Sequence, residues 1–381
     1  MVRKDQVKRI KKLAEINYKK LEESKTCNLM DYIDYYVKEE LISDYNYKTH
    51  PKKNISDPTN TNPLAIAINK YLKILPLGEQ SSYAYLWKGI YRLLKKKNED
   101  YKQKIYYPFL KKAEKPYVEI VKARNILTNK QSSKTFVENF SFKTYKIPTK
   151  EYKYFLKHKE KAVKFCQKQI PKLKLPNWFY SQFNNYPCFL CQLPTFPKID
   201  FPNEVINLVT KEYPVLEKFK HKITIKKGGI TSTEYVKKTD TFIIRLDKDL
   251  NTRHKIVNLI HELSHVVVIL KNFGILSKGK YINELEATKI ELSILKKLSP
   301  RLYKENIASM LVTLYLVSFE IETYKNPNQD LPTLYAKIVN QHFPQANQTK
   351  NYTYLINENF ITHPLRNLPH AMAYVKLIKL K

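Results

Sequence analysis

Residues 261–265 read His261-Glu262-Leu263-Ser264-His265, inside an apolar run that extends from Ile256 to Leu270 without Pro or Gly. The periodicity predicts a helix there. Four residues are just over one helical turn, so both imidazoles leave the same face and can share one metal ion. Glu262 follows the first His and projects beside that ion, where a carboxylate can take a proton from an activated water. A buried helix carrying two His and a Glu without a metal would leave three polar groups in need of partners. The motif therefore asks for a fold that brings a further ligand to one helix face.

That ligand has to come from elsewhere in the chain. A turn at Lys271-Asn272-Phe273-Gly274 is followed by a second helical pattern from Ile282 to Leu292, with Leu285, Ile290, Leu292, Ile294, Leu295 and Leu298 on or near one face. Glu284, Glu286 and Glu291 all qualify by chemistry. Glu284 and Glu291 are seven apart and share a face, whereas Glu286 points elsewhere. Ala287 and Thr288 lie one turn past Glu284 and are small enough for a close helix–helix approach. The expected metal site is Zn²⁺ held by His261, His265 and Glu284, with Glu262 as general base.

The remaining chain reads as mainly α with a small β-sheet. Helical spacing recurs over 3–45, 64–75, 81–127 and 150–170, then over 303–324 and 331–342. Only 6 Gly in 381 residues suits a helical chain with few tight turns. The sheet is expected just before residue 261: an alternating run over 221–226, a turn at Lys227-Gly228-Gly229, and a β-rich run over 241–247. Phe242–Leu246 is the candidate edge strand for pairing with an extended peptide. The Pro-rich stretch 171–202 marks the expected boundary between a helical basic region, 1–200, and a metal-binding domain, 201–381.

The formal charge is +33, with +22 of it in residues 1–200. Such a balance favours contact with nucleic acid or anionic membranes. Yet the excess is Lys rather than Arg, and it accompanies many Ile, Asn and Tyr, the residues of A/T-rich codons. The lysines are dispersed, with short clusters at 3–12 and Lys95-Lys96-Lys97, and no recognition helix or zinc-finger spacing appears. Codon composition is thus preferred over a nucleic-acid partner. Cys188 and Cys191 form a lone CxxC, read as two buried thiols; with Cys27 and Cys166 they are too few for a disulfide scaffold. The first twenty residues lack an apolar signal core, and Ala308–Phe319 is too short to span a bilayer. A soluble, cytoplasmic monomer without membrane contact is expected.

These features together resemble the gluzincin metallopeptidases, and within them the thimet oligopeptidase and oligoendopeptidase F family. The resemblance covers roughly residues 200–381. It rests on the strand pair before His261-Glu262-Leu263-Ser264-His265, on Glu284 with Glu291, on Phe319–Tyr324 running into Leu334-Tyr335, and on a late segment joining His363 to Tyr374. It implies a zincin-like catalytic domain, a mostly helical fold around a deep channel, short peptides as substrates, and transition-state stabilisation by Tyr374 with His363 or His370. Ser264 stands where that family usually has Gly, and Pro364 and Pro369 replace its late Gly-rich loop. Glu284-Leu285-Glu286-Ala287 is equally similar to ImmA-type peptidases, which cut repressors, and Asn283-Glu284 to thermolysin. A basic regulatory factor with such a protease module, or an inactive binding protein on the same fold, are the alternatives.

Overall fold

The computed structural model describes Ala67, Lys70, Tyr71 and residues 107–129, 135–169, 201–227, 231–246, 252–271, 279–357, 360–361 and 363–378. The expected helix over 3–45, the 81–106 part of that expected over 81–127, most of the Pro-rich boundary, the CxxC, Gly228-Gly229 and Asn272-Phe273-Gly274 lie outside them. In chain order the helices are α1 (Tyr107–Lys111), α2 (Glu114–Asn129), α3 (Phe136–Tyr145), α4 (Thr149–Gln167), α5 (Asn203–Glu212), α6 (Thr252–Lys271), α7 (Lys280–Leu298), α8 (Pro300–Lys325), α9 (Leu331–His342) and α10 (Leu368–Leu377). Strands β1 (Ile223–Lys227), β2 (Ser232–Val236) and β3 (Thr241–Leu246) lie between α5 and α6. The described chain is mostly helical with one small sheet, as the patterning predicts.

Contacts divide the chain into two compact units. One holds the described parts of Met1–Asn139 with Tyr315–Arg366; the other holds Phe140–Ile170, Phe196–Leu314 and Asn367–Lys381. Each unit draws on both sides of residue 200. The first unit is built on aromatic packing: Tyr71, Tyr117, Phe319, Tyr335, Tyr354 and Phe360 are all fully buried. The Phe319 ring lies 4.8 Å from Tyr335 and 4.9 Å from Tyr354. Geometries of this kind add roughly 0.5–1.5 kcal/mol per pair beyond area burial.

The second unit is organised around α6. Ile256, Leu259, Ile260, Leu263 and Val266–Ile269 are buried in one core with Phe242, Ile244 and Leu246 of the sheet, Ala287, Ile290, Ile294 and Leu295 of α7, and Val205 and Val209 of α5. Full burial of such side chains contributes about 1.5–3 kcal/mol each. The sheet order is β1-β3-β2, with β1 parallel and β2 antiparallel to β3. The expected edge, Phe242–Leu246, is therefore the central strand. Its alternation puts Phe242, Ile244 and Leu246 into the core, and it pairs on both sides. The sequence pattern also passed over β2, whose Ser-Thr-Glu-Tyr-Val is polar and only partly covered.

Gly279 lets the chain enter α7. Its φ is +100°, which an L side chain rarely adopts, and a Cβ there would sit 2.5 Å from Lys146 Cβ. At the far end Ser299 is extended and Pro300 opens α8, a position where the missing N–H costs nothing. Within α8, Leu302–Lys325 is long and apolar enough to cross a membrane, but 78% of its most apolar window is buried in the protein, as in a core helix.

Candidate metal centre

The α6 face that carries His261 and His265 meets α7 where Ala287 and Thr288 are fully buried, so the two helices approach closely. Glu284 is buried on that side of α7, as is Glu291 two turns later, while Glu286 is only partly covered. His261, His265 and Glu284 offer ligand atoms within 4.8 Å of one another. The two Nε2 atoms are 3.1 Å apart, and Glu284 Oε2 lies 3.5 Å from that of His261 and 3.4 Å from that of His265.

The other ring nitrogens are held from behind. His261 Nδ1 lies 2.9 Å from Glu291 Oε2, and Asn306 Nδ2 donates to the other Glu291 oxygen at 2.8 Å. His265 Nδ1 lies 3.2 Å from Asn283 Oδ1. Both partner atoms are acceptors, so each Nδ1 carries the proton and each Nε2 keeps a lone pair turned to the shared point. Two neutral rings would then press lone pair against lone pair, with the Glu284 charge beside them. That arrangement demands a positive charge. Burial opposes one on His261, but Glu284 and Glu291 raise its pKa well above the ordinary value. Burial likewise opposes ionisation of Glu284, yet His370, His261 and His265 around it hold its pKa well below the usual carboxylate range.

A metal ion suits the same donors. Tetrahedral zinc with bonds of about 2.0–2.1 Å to nitrogen and oxygen spaces its ligands about 3.3 Å apart. The three separations here, 3.1, 3.4 and 3.5 Å, bracket that edge. Glu284 Oε2 is buried and takes no well-aligned hydrogen bond, although three histidine nitrogens lie within 3.5 Å. Two imidazoles and a carboxylate form the donor set of an open zinc site that keeps a fourth position.

Glu262 is buried on the adjacent side of α6, and Thr233 Oγ1 of β2 donates to its Oε2 at 2.7 Å. The same hydroxyl lies 3.0 Å from the Glu262 carbonyl. Ser264 is fully buried and donates to the Ile260 carbonyl at 2.7 Å, so its hydroxyl is satisfied inside the helix. From α10, His370 reaches the cluster: its Nδ1 lies 3.2 Å from Glu284 Oε2 and its ring centroid 6.0 Å from that of His261. Burial pushes the His370 pKa down to about 4 against the attraction of Glu284. Tyr374 is half-buried one turn further along α10. His363 is exposed and belongs to the first unit.

Sequence reasoning missed three contributors. Thr233 sits on a strand without apolar alternation, and Asn306 carries no motif and is fifteen residues from the carboxylate that it holds. The only local signal was the position of Asn283 next to Glu284.

No family model matches the chain, and no curated protein matches it. Two solved structures are similar in chain path. A PZ peptidase A with inhibitor 2 aligns at 14% identity and a TM-score of 0.46, covering 89% of this chain and 68% of that one. A protein described as an oligoendopeptidase F aligns at 13% identity and a TM-score of 0.49, covering 96% and 73%. At these identities and scores neither says which residues act.

Proposed function

We propose that this chain is a zinc-dependent metallopeptidase in which His261, His265 and Glu284 hold the ion and Glu262 moves the proton. The observation that carries this reading is the spacing of the three donor atoms at the edge length of a zinc tetrahedron, next to a buried carboxylate oriented by its own hydroxyl partner. Zinc held there would supply a Lewis acid for the scissile carbonyl and make water acidic enough to be deprotonated near neutral pH.

Glu262 then takes the proton of the attacking water and returns it to the leaving amine. The Thr233 hydroxyl fixes one carboxylate oxygen, which leaves the other for that exchange. Of the two strands that pair only with β3 among the described residues, β2 carries Thr233 beside Glu262, so its outer edge is the strand for an extended peptide, in place of the central β3. His370 Nδ1 lies 3.2 Å from Glu284 Oε2, against the ligand carboxylate. Its part is to orient Glu284, and stabilisation of the developing oxyanion falls to the Tyr374 hydroxyl, a donor worth about 2.7–4 kcal/mol.

Zinc analysis of the purified chain, coupled to digestion of a library of short peptides, tests this reading. It expects about one zinc per chain and cleavage that stops on chelation and resumes with zinc. Stoichiometric zinc without cleavage of any peptide would overturn the short-peptide reading and favour the binding-protein alternative.

A further inference from the structure

The charge of the chain is not evenly spread once α4 is folded. Lys150, Lys153, Lys157, Lys161, Lys164 and Lys168 follow one another at intervals of three and four. At about 100° per residue they fall within an arc of roughly 80° on the helix surface. The buried residues Tyr152, Phe155, Ala162 and Cys166 occupy the opposite side. All six lysines are exposed, and the only other exposed residues on the helix are Thr149 and Glu160. No ion pair or side-chain hydrogen bond engages any of the six among the described residues. Glu151, the carboxylate nearest the start of the row, is already taken by Lys376 and by the Tyr281 hydroxyl, each at 3.1 Å. The result is a straight file of six cations about 27 Å long on a helix anchored through its other face.

We propose that this face of α4 binds a nucleic-acid strand through its phosphates, without regard to base sequence. A strand presents a phosphate about every 3.4 Å of duplex axis, so the row spans about eight of them, and several lysines can each meet one. An acidic peptide does not hold that charge density over such a length. A membrane would meet a plane, not a file, and a stable interfacial helix needs apolar side chains to insert. Here the apolar side of α4 is committed to the core and nothing apolar stands between the lysines. Gain in affinity comes from counterions released from the strand, so the contact is weak at high salt and strong at low salt. This surface is independent of the metal centre, and the two readings stand or fall separately.

The experiment compares the full chain with Lys153→Gln/Lys157→Gln/Lys161→Gln and with a charge-matched control, Lys211→Gln/Lys218→Gln/Lys296→Gln, whose lysines are exposed on other elements. Binding of a labelled duplex of about 12 base pairs is followed from about 50 to 200 mM salt, and thermal melting confirms that both variants fold. The row variant should flatten the slope of log affinity against log salt by roughly two to three, as expected for three lost phosphate contacts. The control should leave the slope within about half a unit of the parent. Equal loss in both variants would show diffuse attraction and overturn the proposal. So would absence of binding at about 50 mM salt, or a row variant that loses only anionic phosphatidylserine vesicles while duplex binding is unchanged.

Discussion

Both units of this protein bury charge, and they do so in opposite ways. In the first, Arg124 is 4% exposed and donates to the Tyr324 hydroxyl at 2.9 Å, to the Phe360 carbonyl at 2.8 Å and to the Ile361 carbonyl. Glu320, 1% exposed, accepts the Leu365 N–H at 2.8 Å. Their partners are mostly backbone, and the Arg124 charge and the Glu320 carboxyl tie Phe360, Ile361 and Leu365 to helices. In the second unit, His261, His265, Glu284 and His370 turn toward one another, and their outward atoms are held by Glu291 and Asn283. The first arrangement is closed by the chain itself. The second places donors of one kind around one point, which costs stability unless a cation joins them. Buried charge is thus structural where the backbone answers it and a candidate for chemistry where side chains converge.

Substitutions should separate the two. The largest effect is expected for Glu262→Gln: turnover on a cleaved peptide falls about 10²–10⁴-fold while zinc content and melting temperature stay at parental values. Loss of zinc along with activity would make Glu262 part of the metal cage instead. Arg124→Met should act in reverse. It strands two carbonyls and a hydroxyl, so stability in urea should drop by roughly 3 kcal/mol or more, with zinc stoichiometry intact in the folded fraction. A neutral outcome would mean that those acceptors find other partners.

Next in size is Glu291→Gln, which weakens the hold on His261 from behind. Zinc affinity measured by competition with a chelator should fall about 10–100-fold, while affinity unchanged from the parent would remove Glu291 from the site. The subtlest readout is a slope. Burial raises the Glu320 pKa to about 8, outweighing the Leu365 N–H and Arg124. The folded state therefore holds that proton more tightly than the unfolded state does. Its contribution is complete below the unfolded value near 4.5 and is lost as pH climbs to about 8. Glu320→Gln should flatten the decline of stability across that window and match the parent's trend below it. If the parent shows no such decline, Glu320 is already charged at neutral pH.

Much of the candidate metal centre was legible because helical spacing is local. The four-residue interval of His261 and His265, and the seven-residue interval of Glu284 and Glu291, decide which side chains share a face before any packing is known. The small residues Ala287 and Thr288 even marked where the helices would close. The sheet was read less well. β3 carries alternation strong enough to be seen and was mistaken for an edge, since alternation reports burial of one face and says nothing about how many neighbours a strand has. β2 has no such pattern, and with it Thr233 stayed hidden.

The lysines of α4 show the division most plainly. As a string they look dispersed, because a row at intervals of three and four makes no run. Their spacing was in the sequence; their exposure was not, for only the packing of Tyr152, Phe155, Ala162 and Cys166 decides which side of the helix faces water. His370 is a similar case. It lies 86 residues beyond Glu284 in the chain, and no periodicity links them. The contact exists because α10 packs on α7. By itself, then, the sequence determined the helix faces, the pair of imidazoles and the carboxylates that can join them, all consequences of local backbone geometry. The tertiary structure alone decided which strand lies at the edge, which histidine returns to Glu284 and which lysines stay in water, since long-range packing selects among faces that local geometry leaves equivalent.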